Sequence, residues 1–220
     1  MNSSSDRHET DRPKGRRKPR IRKPLDETSL RDLALAYAAR FATTGAKVEA
    51  YLARKIRERG VAEDADGRTL QLDVPALVTR LIELGYVDDD AYARMKSRDL
   101  TARGYGKRRV EQALYVAGVD EQVRGDNAPS EARSREAAAL LARKRRFGPY
   151  GVPHDVFEDH ETDEADRAEA HKKREKQIAA MLRAGHLMDH VRFILEATNV
   201  DDIEAWIEEA REEDEEYGGL

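Results

Sequence analysis

The stretch KRRVEQALYVAGV, residues 107–119, decides the fold class. Val110, Leu114 and Ala117 recur within it at steps of four and three residues, which is the spacing of one apolar face on an α-helix. Gly118 follows at once and acts as a helix stop. The stretch therefore predicts a short amphipathic helix with one buried stripe, ended by a glycine.

The same pattern of a helix followed by a glycine occurs three times along the chain. The stops lie 58 and 67 residues apart, and an apolar residue stands four positions before each of them. The three pairs are Ile56 and Gly60, Leu114 and Gly118, and Met181 and Gly185. We expect a three-helix unit repeated three times, in which each unit buries its apolar face against its neighbours and the whole extends as an elongated array.

Composition agrees with thin helical units. Hydrophobic residues make up 39% of the 220 residues and charged residues 38%, which excludes a large, thick core. Aromatic residues are only 6%, too few for a typical sheet-rich fold, and no stretch shows a convincing strand pattern. The fold class is therefore all-α. The expected boundaries are a disordered basic arm over 1–24, repeats over 25–87, 88–128 and 129–207, an insertion at 148–170 in the third repeat, and an acidic tail over 208–220.

Charge is distributed very unevenly along the chain, although the net charge is only −4. Residues 1–24 contain nine Lys or Arg and three Asp or Glu, a balance of +6, whereas residues 201–220 contain one Arg and ten Asp or Glu, a balance of −9. The arm has almost nothing apolar to offset the entropy of ordering. No run approaches the ~20 apolar residues of a membrane span, and cysteine is absent. We expect a cytoplasmic protein without disulfides or a membrane anchor.

Cations are concentrated between residues 92 and 118, where the sequence contains seven Lys or Arg and only two acidic residues. Lys107, Arg108 and Arg109 fall in the first turn of a helix, where cations are unfavourable unless an anion docks at the free amide groups there. A solvated face is the alternative explanation, but the adjacent turn at 104–106 favours a surface that contacts a partner. The candidate binding residues are Arg54, Lys55, Arg57, Arg94, Lys96, Arg98, Arg103, Tyr105, Lys107, Arg108 and Arg109.

Motifs that carry catalysis are missing from the sequence. There is no phosphate-binding GxxxxGK[ST] loop, no GxGxxG, no GxSxG and no HExxH. His186 and His190 have a spacing that ligates metal on a helix, but Gly185 interrupts the helix before them and no third ligand is apparent. We expect no catalytic residues, no cofactor and no metal.

Two consecutive blocks resemble a known family. Residues 81–93, LIELGYVDDDAYA, and residues 103–110, RGYGKRRV, are similar in order and spacing to two blocks of the RecX family of bacterial recombinase regulators. Residues 177–186, QIAAMLRAGH, resemble the last repeat of that family. Three departures, the insertion at 148–170, the start of the first repeat at 43–46 and the acidic tail, leave no contact residue of the third repeat to carry over.

The resemblance implies tandem three-helix repeats and a partner, the RecA filament on single-stranded DNA. Family members lodge in the groove of that filament, suppress strand exchange and ATP hydrolysis, and have no enzymatic activity. We expect this chain to act as a monomer that contacts DNA through phosphates rather than through sequence. The alternative is a sequence-specific helix-turn-helix DNA-binding protein, for which the helix after Gly106 offers only one clear base-reading side chain among Glu111, Gln112 and Tyr115.

Overall fold

The computed structural model describes residues 23–151 and 164–218, so most of the predicted basic arm lies outside the described residues. Within them the chain forms ten α-helices and one 3₁₀ turn at Gly148–Tyr150, with two isolated bridges and no strand. The helices are α1 (Glu27–Ala38), α2 (Gly45–Arg59), α3 (Val74–Glu83), α4 (Asp89–Ala102), α5 (Lys107–Val116), α6 (Glu121–Asp126), α7 (Glu131–Arg145), α8 (Glu164–Arg183), α9 (Met188–Glu196) and α10 (Val200–Gly218). The all-α prediction is confirmed.

Buried apolar side chains form three clusters that follow one another along the chain. The first lies among α1, α2 and α3, the second between α4 and α5, and the third among α7, α8, α9 and α10. We call the corresponding helix groups repeat 1 (α1–α3), repeat 2 (α4–α6) and repeat 3 (α7–α10). Fully buried members include Leu52 in repeat 1, Leu114 in repeat 2, and Met181, Ile194 and Ile203 in repeat 3.

Each predicted glycine stop ends the middle helix of a repeat. Gly60 follows α2, Gly118 follows α5 and Gly185 follows α8, and the φ angles of these glycines are 73°, 74° and 91°. Only glycine adopts such left-handed conformations at little cost. The glycine alignment made from the sequence thus identifies equivalent positions in three structural units.

The middle helix of repeat 2 begins where that of repeat 3 ends. The backbone N–H of Gly106 donates to the carbonyl of Ala184 at 2.9 Å, and the N–H of Arg108 donates to the carbonyl of Gly185 at 3.1 Å. A Cβ atom at Gly106 would collide with the backbone of Gly185. We call this contact the α8–α5 joint, and it requires glycine because two backbones meet there directly.

A second joint of the same kind connects α5 to α2. The hydroxyl of Thr44 donates to the carbonyl of Ala117 at 2.6 Å, and a Cβ at Gly118 would collide with Ala46. The N–H of Gly45 donates to the carboxylate of Asp89 at 2.9 Å. The three middle helices therefore follow one another end to end: the N-terminus of α2 rests on the C-terminus of α5, and the N-terminus of α5 rests on the C-terminus of α8.

Two helices of repeat 3 extend across the predicted boundaries. Helix α8 begins at Glu164, inside the predicted insertion, and residues 152–163 of that insertion lie outside the described residues. The acidic tail over 208–220 is not a separate segment, because α10 continues through Gly218. It is held to α7 by the fully buried Ala210 and by Asp214, whose carboxylate accepts a hydrogen bond from the N–H of Ala132 at 3.2 Å.

Repeat 2 ends with the short helix α6, formed by Glu121–Asp126 with Asp120 as its N-cap. Among the described residues, no helix is both long enough and apolar enough to cross a membrane.

Replacing Gly106 with alanine tests the α8–α5 joint. The φ of Gly106 is −82°, which alanine adopts without strain, so any loss of stability must come from the collision with Gly185. Forcing one methyl group into a closed contact costs about 1–3 kcal/mol. We expect chemical denaturation to show a loss of about 2 kcal/mol in the free energy of unfolding.

Gly125→Ala is the matched control for this substitution. Gly125 lies in α6, and a Cβ there would meet open space. Alanine in a helix is more favourable than glycine by up to ~1 kcal/mol, so this variant should be as stable as the parent chain or more so. Equal stability of the two variants would mean that the joint is not a close backbone contact.

Deleting residues 208–220 tests the attachment of α10. The deletion removes the buried Ala210, the Asp214 contact with α7 and the ion pair between Arg211 and Glu136 at 2.5 Å. We expect lower thermal stability of repeat 3, measured by calorimetry. An unchanged melting temperature of the truncated chain would mean that residues 208–220 do not stabilise repeat 3.

Candidate functional site

The predicted binding residues occupy three places in the structure. Arg54, Lys55 and Arg57 lie in α2, a second group belongs to α4 and the turn after it, and Lys107–Arg109 form the first turn of α5. Repeat 3 supplies none of them. The structure thus distributes the predicted residues over repeats 1 and 2 rather than gathering all of them in one place.

The cations of α4 lie on two sides of that helix. Arg94 and Arg98 are four residues apart and share one flank, whereas Arg103 lies nine residues beyond Arg94, about 180° around the helix axis. Asp90 pairs with Arg94, and Asp99 pairs with Arg103 at 2.8 Å and with Lys96 at 3.9 Å. These acids largely neutralise both flanks, so α4 offers no continuous basic face.

Acidic neighbours also accompany the cations of α2. Glu58 lies 3.7 Å from Arg54 and 2.6 Å from Lys55. Both cations also lie over the ring of Tyr51, at 5.7 Å and 5.6 Å from its centre. The exposed pair of Arg54 with Glu58 contributes at most ~1 kcal/mol, and Lys55 is half-buried beside Tyr51 and Glu58, so both cations have part of their charge compensated within α2.

Most amide groups at the start of α5 are not free, contrary to the sequence-based argument for an anion there. The N–H groups of Gly106 and Arg108 donate to the carbonyls of Ala184 and Gly185 across the α8–α5 joint, and the N–H of Arg109 donates to the carbonyl of Gly106. A helix C-terminus carries about half a negative charge, so Lys107, Arg108 and Arg109 lie beside the negative end of α8. The protein itself thus supplies the compensation that we had assigned to a ligand.

The α2 helix shows the same arrangement. Neither α2 nor α5 has an acidic residue in its first turn, although α1, α4, α6 and α7 all do. The first-turn residue Lys47 contacts the hydroxyl of Tyr92. The N-terminus of α2 rests on the carbonyl end of α5, and the N-terminus of α5 rests on the carbonyl end of α8. These negative helix ends account for the cations at the two N-termini.

The side chains at the start of α5 nevertheless remain exposed. No carboxylate among the described residues pairs with Lys107, Arg108 or Arg109, and Arg109 donates to the side-chain oxygen of Gln112 at 2.8 Å. Tyr115 is 68% exposed and Val116 is 77% exposed one turn further on. The result is an unneutralised basic surface with apolar neighbours, which we call the α5 surface (residues 107–109, 112, 115 and 116).

Repeat 3 fixes the turn that precedes the α5 surface. Nε2 of the buried His186 lies 3.0 Å from the carbonyl oxygen of Gly104, and Lys144 donates to the carbonyl of Arg103 at 3.2 Å. Because a carbonyl only accepts, Nε2 of His186 carries a proton and donates it. Tyr105, in the middle of this turn, is 37% exposed.

His186 and His190 do not converge on a common point. Nε2 of His190 lies 2.9 Å from Glu131, whereas Nε2 of His186 faces Gly104. Burial raises the pKa of Glu131, but hydrogen bonds from Arg135 and His190 outweigh burial and hold the pKa below its ordinary value. Each histidine thus joins helices of the array.

Sequence reasoning missed a set of cations on α8. Lys172, Lys173, Lys176 and Arg183 are exposed along this helix, and Arg183 lies two residues before the glycine of the α8–α5 joint. The acidic residues at 154–170 had hidden the beginning of the helix. Counting helical turns backwards from Gly185 would have revealed it, since the glycine stop was already recognised.

Comparison with known proteins matches repeat 2 to a described protein domain. The family model described as "RecX, second three-helix domain" matches residues 88–125, which contain α4, α5 and nearly all of α6. The regulatory protein RecX of Myxococcus xanthus is 31% identical over 176 residues, which span 78% of this chain and 87% of that protein. The chain belongs to the RecX family.

Other members of the RecX family agree with this assignment. The regulatory protein RecX of Thermus thermophilus is 38% identical over 112 residues, which span 51% of this chain and 71% of that protein. The crystal structure of RecX from Lactobacillus salivarius matches with a TM-score of 0.54 over 78% of this chain and 95% of that chain. At 19% identity, this last match shows that the fold is shared.

The buried His186 predicts a pH dependence of stability. Burial lowers the pKa of His186 to about 4, from 6.5, because protonation would charge a ring whose Nδ1 has no partner among the described residues. The unfolded chain therefore binds a proton between pH 6.5 and pH 4 that the folded chain does not bind. Stability is fully present above pH 6.5 and falls by about 3 kcal/mol as the pH drops to 4.

Denaturation of His186→Gln over the same pH range isolates this effect. Glutamine retains a donor for the Gly104 carbonyl but does not titrate, so the variant should lose about 3 kcal/mol less than the parent chain between pH 7 and pH 4. His171→Gln, an exposed position on α8, is the control and should follow the parent curve. Parallel curves for all three proteins would show that His186 does not resist protonation.

Proposed function

We propose that this chain is a non-enzymatic regulator that binds the RecA filament on single-stranded DNA and inhibits strand exchange and ATP hydrolysis. The observation that carries the proposal is the α5 surface, where three cations remain exposed and unneutralised beside Tyr115 and Val116. Membership of a family whose relatives are named regulatory proteins supports a regulatory role. The protein would act as a monomer in the cytoplasm.

The shape of the chain suits a polymeric partner. Its cores lie one after another along the chain, and its middle helices are joined end to end. A nucleoprotein filament presents phosphates and acidic side chains repeatedly along a groove. An array of repeats covers more than one unit of such a polymer, whereas a compact domain contacts one unit at a time.

Binding alone accounts for inhibition on this proposal. A molecule that bridges adjacent filament subunits stabilises one arrangement of them and slows their turnover and addition. Arg103, Lys107, Arg108 and Arg109 would form ion pairs with phosphates or carboxylates of the filament. Arginine is favoured for such contacts because its planar group binds both anions through paired hydrogen bonds.

Replacing Lys107, Arg108 and Arg109 together with glutamate tests the α5 surface. The variant should inhibit the ATPase activity of RecA on single-stranded DNA at least ~10-fold more weakly, since three attractive contacts become repulsive. Circular dichroism should show unchanged helix content, because the three side chains are exposed. Full inhibition by this variant would refute the assignment of the site.

A matched control carries similar charge changes elsewhere. Arg133, Arg143 and Arg145 are exposed on α7, and their replacement with glutamate reverses the same number of charges without touching α5. This control should inhibit almost as well as the parent chain. Equal loss in both variants would mean that net charge, rather than the α5 surface, governs binding.

The amount of protein required distinguishes two modes of inhibition. Strong inhibition at far less than one molecule per RecA subunit would indicate capping of filament ends, whereas inhibition only near saturation would indicate occupation along the groove. Tight, sequence-dependent binding to duplex DNA without RecA would contradict the proposal and support the helix-turn-helix alternative.

A further inference from the structure

The first half of α8 extends away from the core of repeat 3. All residues from 164 to 176 are exposed, whereas Met181 in the second half is fully buried. On the inner side, Arg174 donates to the carbonyl of Leu195 at 3.1 Å and pairs with Glu196 at 3.0 Å. The exposed half, which we call the α8 extension (residues 164–176), spans about 20 Å.

The α8 extension is helical without burying an apolar face. Alanine, glutamate, lysine and arginine make up most of it, and these residues have high helix propensity. It also continues directly from the packed turns around Met181, so it does not bear the cost of starting a new helix. Its surface is consequently available for a partner along its whole outer side.

One side of α8 is lined with cations. Lys172 and Arg183 are eleven residues apart, which places them about 20° from each other around the axis, and Lys176 lies between them within about 40°. Met181 is on the opposite side, about 160° from Arg183. Lys173 flanks the row, and the row therefore faces away from the core of repeat 3.

Acidic residues flank this row without pairing with it. Glu169 lies three residues before Lys172 and four before Lys173, on the same side of the helix, and Glu175 lies about 100° from Lys176 and contacts His171 at 3.8 Å. No ion pair joins Lys172, Lys173 or Lys176 to a carboxylate among the described residues. The three lysines therefore point their unpaired ammonium groups toward solvent.

We propose that Lys172, Lys173 and Lys176 form a second contact, which binds the phosphate groups of single-stranded nucleic acid. This inference rests on the proposed function and adds to it a direct nucleic-acid contact in repeat 3. The row runs toward Arg183 and the α8–α5 joint, where Arg109 of the α5 surface lies against Gly185. One molecule would then contact a nucleic-acid strand along two repeats.

The composition of the two surfaces favours different partners. Lysine is depleted at protein–protein interfaces, where arginine and aromatic residues are enriched. The outer side of the α8 extension has lysines and no aromatic or large apolar residue, which is typical of contacts to phosphates that do not depend on sequence. The α5 surface combines Arg108 and Arg109 with Tyr115, which is typical of a protein contact.

Direct binding to an oligonucleotide without RecA tests this inference. Fluorescence anisotropy with a labelled single-stranded oligothymidylate measures the affinity of the parent chain and of a variant with Lys172, Lys173 and Lys176 replaced by glutamate. We expect at least a ~10-fold weaker affinity at about 50 mM salt. The slope of log affinity against log salt should become shallower by about 2, for three lost phosphate contacts.

Two further variants control for folding and for charge. Replacement of the same lysines with glutamine removes the charges without reversing them and should give an intermediate affinity. The second control replaces Arg31, Arg40 and Arg68 with glutamate, which reverses three exposed charges in other parts of the chain. Its salt slope should stay close to that of the parent chain. An unchanged slope in the lysine variants would overturn the inference.

This experiment and the test of the proposed function can fail independently of each other. If the lysine variant loses oligonucleotide affinity while the α5 variant still inhibits RecA, the second contact exists and the site of the proposed function fails. If the lysine variant binds the oligonucleotide normally but binds DNA-free RecA less tightly, the α8 extension contacts protein, and the inference is wrong.

Discussion

Backbone hydrogen bonds across the α8–α5 joint are the contact on which the rest of the array depends. Every helix leaves unpaired carbonyls at its C-terminus and unpaired amides at its N-terminus, and the joint pairs two carbonyls at the end of α8 with two amides at the start of α5. Gly106 and Gly185 make the contact close enough. Because main-chain atoms form it, the joint fixes the order of the repeats without immobilising long side chains, and the cations of α5 take their positions from it.

The α8–α5 joint also changes how cations at a helix N-terminus are interpreted. Three cations at the start of α5 are unfavourable for an isolated helix, and that conflict first indicated an anionic ligand. The carbonyl end of α8 resolves the conflict within the protein, and α2 repeats the solution at the carbonyl of Ala117. Cations in the first turn are thus evidence for stacking, whereas the exposure of Arg108 and Tyr115 is the evidence for a partner surface.

Local patterns were predictable from the sequence, but contacts between distant segments were not. Apolar spacing and glycine stops identified α2, α5 and the end of α8, because both are properties of neighbouring residues. Periodicity shows which face of a helix is buried but not what covers it, so the meeting of Gly106 with Gly185 was missed. The apolar spacing of Ile203 and Ile207 indicated the start of α10, but the acidic residues after it concealed that the helix continues, although Ala210 extends the same spacing.

Two segments outside the three-helix pattern cover parts of repeats 1 and 3. At the α8–α5 joint the carbonyl of Gly185 accepts from Arg108, whereas at the outer end the equivalent carbonyl of Gly60 accepts from the N–H of Leu25 at 2.9 Å. At the other end α10 covers α7, with Ile203 fully buried on its inner side and carboxylates outside. Terminal elements of repeat proteins need such polar outer faces. The segment before α1 and helix α10 thus cover repeats 1 and 3, whereas the N-terminal half of α8 stays exposed to solvent.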